Sequence, residues 1–172
     1  TVTWEKVVLE FPAPDNMTYD YVIFENVDRH ENYLDYFDTH GIKVWLQVEP
    51  AFADMGTLID LVLDQYGHHS CVKGFGVDCE WYRYTLEDDW GVPITDANAQ
   101  TWESRVKSHN SNYTLFLKHF NYTWLPPSYR GDIIFVSDSM GFTGEGYYGL
   151  PAMVAEFTDH WAPWFYPNTV WF

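Results

Sequence analysis

Basic residues are scarce in this chain: nine Lys and Arg stand against 25 Asp and Glu, for a net charge of -16 over 172 residues. Nucleic acid needs a basic stripe along its phosphates, and an anionic bilayer needs a polybasic patch, so the composition argues against both partners. Long apolar runs are missing, and with them any membrane-spanning helix. The chain opens on a strand-like segment and not on a signal-peptide pattern, so a mature or trimmed product is the expectation. Cysteine is limited to Cys71 and Cys79. On one extended strand these would lie roughly 26 Å apart, too far to bridge. Neither has zinc-ligand spacing, so both are expected as free buried thiols.

What the chain has instead is apolar and aromatic bulk. Hydrophobic residues make up 47% and aromatics 20%, enough for one domain over residues 1–172 with side chains left over for a groove. Trp and Tyr stack on flat apolar ligand faces while offering a polar edge. Three sequons, at Asn16, Asn112 and Asn121, would carry glycans in a secreted protein.

Strand and helix patterns alternate along the chain. Val7–Phe11, Tyr21–Glu25, Ile42–Glu49, Val72–Trp81, Tyr113–Phe120 and Ile133–Asp138 read as strands, and Thr169–Phe172 starts another. Asp28 with Glu31 caps a helix that Gly41 stops. Further helices are expected over Thr57–Tyr66, over Asp96–His109 and from Pro151, whereas Trp124-Leu125-Pro126-Pro127 is too proline-rich for one. Alternation of this kind implies parallel strands joined by right-handed crossovers, and so many units predict an α/β fold of the TIM-type (β/α) barrel. A full barrel usually needs about 250 residues. The expectation is therefore a short barrel, truncated near its seventh strand. The alternative is an open doubly wound sheet, but no glycine-rich phosphate loop follows the first strand.

Barrels place their sites at the carboxyl ends of the strands. The polar residues gather there: Glu25 and Asn26, Gln47 and Glu49, Asp78 and Glu80, Lys118 and His119, Ser137 and Asp138. On the fourth strand, period-2 alternation puts Gly74, Gly76, Asp78 and Glu80 on the lumenal face, with the two glycines leaving space beneath the carboxylates. Asp78 and Glu80 would have Cα atoms about 6.6 Å apart. Like charges that close raise one pKa, which supplies the protonated general acid that glycoside hydrolysis requires.

The run Gly74-Phe75-Gly76-Val77-Asp78-Cys79-Glu80 resembles the fourth-strand signature Asp-Gly-x-Asp-x-Asp-x-Glu of family-18 glycoside hydrolases, the chitinases and endo-N-acetylglucosaminidases. The resemblance implies Glu80 as general acid and Asp78 as the aspartate that orients the substrate acetamido group. Lys73 and Gly76 replace the family's first two aspartates, and Asp138-Ser139-Met140-Gly141 stands where the family has Met-x-Tyr-Asp. The Asp-x-Glu also looks like that of family-25 lysozymes and of spherulin-4-like galactosaminidases.

The expectation is an extracellular enzyme that hydrolyses glycosidic bonds in a polysaccharide or glycan, with carbohydrate as its partner and no metal or organic cofactor. Glu80 and Asp78 would carry the chemistry, with Glu49 or Asp138 as a second carboxylate. Gln47, Glu25, Trp45, Trp81, Tyr82 and His119 would contact substrate, and Trp124 and Trp171 are further sugar platforms. Each has a plainer reading: Glu80 paired with Lys118, Asp78 as a structural hydrogen-bonder, His119 satisfied in the interior, the aromatics as core. His68-His69 falls in a helix-to-strand turn at the far end, where a structural role is favoured over metal binding. The rival function is a non-catalytic carbohydrate-binding or structural barrel, as in chitinase-like lectins.

Overall fold

The computed structural model describes residues 2–3, 5–84, 91–139 and 149–172. Its centre is a five-stranded, all-parallel sheet in the order β4 (Val44–Val48), β5 (Val72–Asp78), β6 (Thr114–His119), β7 (Ile133–Ser137) and β8 (Val170–Trp171). Residues Phe75, Val77, Leu115, Leu117 and Phe135 on one face are wholly buried. Against this face pack α2 (Met55–Tyr66) and α3 (Asp96–His109), both begun by side-chain caps, Asp54 on Thr57 and Thr95 on Asn98. From β7 the chain returns to β8 through α4 (Leu150–Glu156), a π-helical turn at Phe157–Trp161 and α5 (Ala162–Phe165), where Phe165 stacks on Phe135. Between β6 and β7, the described residues hold only a 3-10 turn at Tyr122–Trp124, as the prolines dictate.

The other face is concave. Trp45 lies on one edge strand and Trp171 on the other, yet their rings meet edge to face at 5.0 Å. In a flat sheet, four steps of about 4.8 Å would hold those strands roughly 19 Å apart. The sheet therefore curls about this face, with Trp45 leaning over Gly74 to donate to Thr114 Oγ1 at 2.7 Å.

The amino-terminal segment departs from the expected run of parallel units. It forms a separate sheet, β1 (Val2–Thr3), β2 (Lys6–Leu9) and β3 (Val22–Phe24), in which β2 and β3 are parallel and β1 is antiparallel to β2. The Phe52 amide, past the end of β4, donates to the carbonyl of Glu5 at the start of β2. Phe11, past the end of β2, packs on Tyr66 at the other end of the molecule. Strands β2 and β3 thus run opposite to β4. The reason lies in α1 (Glu31–His40), which does not cross the sheet. It sits across the amino ends of the strands, with Glu31 and Asp38 against the turn at His68–Cys71. Asp28 accepts from the amides of His30 and Glu31, and Gly41 closes α1 at φ 68, so the expected start and stop are present even though the crossover is not. Among the described residues the two sheets share no ladder, and the sheet does not close into a barrel.

Cys71 and Cys79 are both free and buried. No helix among the described residues is long and apolar enough to cross a membrane.

Candidate active site at the carboxyl ends of the sheet

The parallel register sets Asp78 beside Lys118. Lys118 Nζ lies 2.7 Å from Asp78 Oδ2 and 2.8 Å from Asp138 Oδ2, holding the ends of β5 and β7 to the end of β6 between them. Gln47 Nε2 donates to the same Asp78 oxygen at 3.4 Å. The other Asp78 oxygen is buried with no hydrogen-bond partner.

Strand β5 ends at Asp78, and Cys79–Trp81 turns into a 3-10 helix instead of continuing the strand. Glu80 still reaches the cluster: carboxylate oxygens of Asp78, Glu80 and Asp138 all lie within 4.8 Å of one another. Cys79 remains wholly buried and Glu80 half-buried. The loops that follow β4 and β5 are tied together, since the Arg83 amide donates to the Ala51 carbonyl at 2.8 Å and both residues have positive φ, 54 and 46. Such backbone is costly for residues with a Cβ and persists where its surroundings over-determine it.

Three carboxyls crowd together here with one lysine, paired to Asp78 and Asp138, and their protonation reflects that. Burial pushes Asp78 up to about 6; Lys118 opposes the shift, while the charges of Asp138 and Glu49 add to it. Burial likewise raises Glu80 to about 7, helped by the charges of Asp78 and Asp138 and by a hydrogen bond to Asp138. A half-buried carboxyl that keeps its proton near neutrality is what proton donation to a leaving oxygen requires. The same three carboxylates have the spacing to hold a cation, but the neighbouring ammonium of Lys118 already supplies the positive charge.

The other sequence-derived candidates are distributed as follows. Glu49 follows β4 and is close enough for its charge to act on Asp78. Trp45 and Trp171 pave the concave face below the cluster. Trp81 sits in the 3-10 turn with its ring 5.0 Å from Tyr84. Tyr82 packs edge to face on Trp102 of α3, as part of the core boundary.

His119 alternates to the opposite face from Lys118. It is buried, stacks on Trp124, accepts from the Asn121 amide through Nδ1, and is pushed down to about 4 by burial. Glu25 belongs to the amino-terminal sheet, where it pairs with Arg29 at 2.5 Å. Neither His119 nor Glu25 faces the carboxylate cluster. Met140 and Gly141 lie outside the described residues.

Two expectations about local space and pairing are corrected. The glycines of β5 do not leave the concavity open: a Cβ at Gly76 would fall 2.0 Å from the Phe116 ring, and one at Gly74 would meet the Thr114 carbonyl and Trp45. Glycine is required there because aromatic rings lie flat across the strand. Lys118, expected as a partner for Glu80, instead serves Asp78 and Asp138, which makes it the organising cation of the site. Its position opposite Leu117 on an alternating strand was the available signal; its partners depend on register, which alternation does not specify.

Comparison with protein-family models, with curated proteins and with solved structures returns no match, so the chemistry is read from the site itself.

Proposed function

We propose that this chain is a glycoside hydrolase whose general acid is Glu80, acting on an extracellular polysaccharide or glycan at the carboxyl end of the curled sheet. The observation that carries the reading is Glu80 itself. Its half-buried carboxyl is raised to about 7 and lies within 4.8 Å of two further carboxylates, above a concave face lined by Trp45, Phe116 and Trp171. The curl of the parallel strands is compatible with a segment of a TIM-type barrel, and the resemblance of the β5 motif to family-18 hydrolases points the same way.

The carboxyls crowd one side of the site. An inverting mechanism needs about 6.5–9.5 Å between its two carboxyl groups to admit water. Oxygens of Asp78, Glu80 and Asp138 lie within 4.8 Å of one another, which suits the retaining geometry of about 5–5.5 Å, with Asp138 or the acetamido oxygen of an N-acetylated sugar as the nucleophile. Asp78, only 2% exposed, acts in this reading by raising Glu80 and orienting polar groups around it.

The test is hydrolysis of chitin oligosaccharides, galactosaminan and peptidoglycan by wild type and Glu80→Gln. Loss of the transferable proton lowers the rate by about 10²–10⁴-fold while binding persists. The wild-type rate falls as pH rises through about 7, where Glu80 gives up its proton.

One observation favours a non-catalytic carbohydrate-binding protein. Two acidic positions of the relay are Lys73, whose Nζ donates to the Ser70 carbonyl at 2.6 Å, and Gly76, covered by Phe116. Equal binding with and without Glu80, and no cleavage of any of these substrates by wild type, would establish that reading.

A further inference from the structure

At the opposite end of the sheet, two histidines and a carboxylate converge where α1 meets the turn from α2 to β5. His68 Nε2 and His69 Nε2 each lie 3.3 Å from the same oxygen, Glu31 Oε1. The His69 side chain is only 2% exposed, and its Nε2 has no hydrogen-bond partner. Its Nδ1 is 2.8 Å from Asp38 Oδ2, and Asp38 is itself fixed by the hydroxyl of Ser70 and the amide of Cys71.

With Nδ1–H donated to Asp38, Nε2 carries a lone pair and lies 3.3 Å from a carboxylate oxygen without the alignment of a hydrogen bond. Two lone-pair donors sit side by side there, an arrangement that a shared cation would stabilise. A charged donor-to-carboxylate hydrogen bond would close to about 2.7–2.9 Å. The observed separation instead suits the edge of a tetrahedron around zinc: ligand bonds of about 2.0–2.1 Å place adjacent donor atoms roughly 3.3 Å apart. The Asp38–His69 contact is the outer carboxylate that fixes the tautomer and orientation of a metal-bound imidazole. His68 and Glu31 are solvent-accessible, giving an entry path and room for water as a fourth ligand.

We propose that Glu31, His68 and His69 form a zinc-binding site, with Asp38 as its outer-shell support, that staples α1 to the α2–β5 turn. The ion joins Glu31 to two histidines that lie 37 and 38 residues further along the chain, and it satisfies the one buried nitrogen of the group left without a partner. Its role is structural. The site lies at the amino ends of the strands, away from the Glu80 cluster, so it stands or falls independently of the proposed hydrolase.

The test uses the full chain after dialysis against chelator, titrated with Zn²⁺ in competition with a chromophoric zinc indicator. Wild type is expected to bind one ion and to melt at higher temperature with zinc than with magnesium. Co²⁺ in the same site is expected to give the intense visible absorption of a tetrahedral ion. His68→Ala and Glu31→Gln alter accessible side chains and are expected to weaken binding at least 100-fold, while Asp38→Asn weakens it by about 10–100-fold. The double variant Asp78→Asn/Glu80→Gln keeps wild-type zinc affinity. The proposal is overturned if wild type binds zinc no better than His68→Ala, if zinc leaves the melting temperature unchanged, or if affinity is lost in the Asp78/Glu80 double variant instead.

Discussion

Lys118 and Asp78 meet at 2.7 Å with the aspartate side chain 3% exposed, so loss of the lysine strands a buried carboxylate. Removing one partner of a buried pair typically costs about 3–5 kcal/mol. Lys118→Met is expected to destabilise the protein by about 3 kcal/mol at pH 8. The loss should shrink at pH 5, where Asp78, raised to about 6 even with its lysine present, takes up a proton. Urea unfolding at the two pH values measures both effects.

Glu80 and Asp78 also fix the sign of a pH dependence. Their folded-state values, about 7 and about 6, lie above the ordinary 4.5 and 3.8. Through that window the folded chain holds protons the unfolded chain has released, so the contribution of these groups to stability falls as pH rises from about 4 to about 7. Glu80→Gln removes the cost of ionisation and is expected to raise the melting temperature at pH 8 while changing it little at pH 5. A larger gain at pH 5 than at pH 8 would contradict the assignment.

Gly76 and Phe116 form a packed pair. Adding a methyl group at position 76 drives it into a ring 2.0 Å away, and overpacking of this kind costs about 1–3 kcal/mol. Gly76→Ala should therefore destabilise, and the loss should be partly recovered in the double variant with Phe116→Leu. A double-mutant cycle by chemical denaturation reads the coupling directly. Additive effects would mean that the ring and the glycine do not depend on each other.

The thiols should be silent in the native state. Burial pushes Cys71 up to about 11 and Cys79 well above its ordinary value, so little thiolate is present at neutral pH. A colorimetric thiol reagent is expected to titrate neither cysteine until denaturant is added, then both. Rapid modification of the native protein at pH 7 would show that the turn around Cys71 opens.

Much of the secondary structure was legible because its signals are local. The helix Asp96–His109 was expected with the bounds it has, from its aligned Ala99, Trp102 and Val106. Gly41 and the paired prolines likewise marked a stop and a missing helix. The direction of the first two strands was not legible: a helix between strands implies a parallel crossover only if it spans the sheet, and α1 lies across its end.

In the site, Asp78, Glu80, Gln47 and Asp138 were found from polarity at strand ends, and the structure brings them together. Glu25 was misplaced with the reversed strand, and His119 by one step of alternation. The Phe116 ring over Gly76 depends on which residues of β6 oppose β5, a pairing that neither strand encodes alone.

The contact between Trp45 and Trp171 gives the protein a built-in optical gauge. Two indoles held nearly perpendicular at 5.0 Å couple their electronic transitions, so their joint circular-dichroism signal reports on the spacing of the sheet's outer strands. That signal vanishes if the curl relaxes, even where every helix stays intact. A bound sugar ring sliding over Trp45 would alter it without any label, and loosening of β8 could be followed separately from unfolding of the rest.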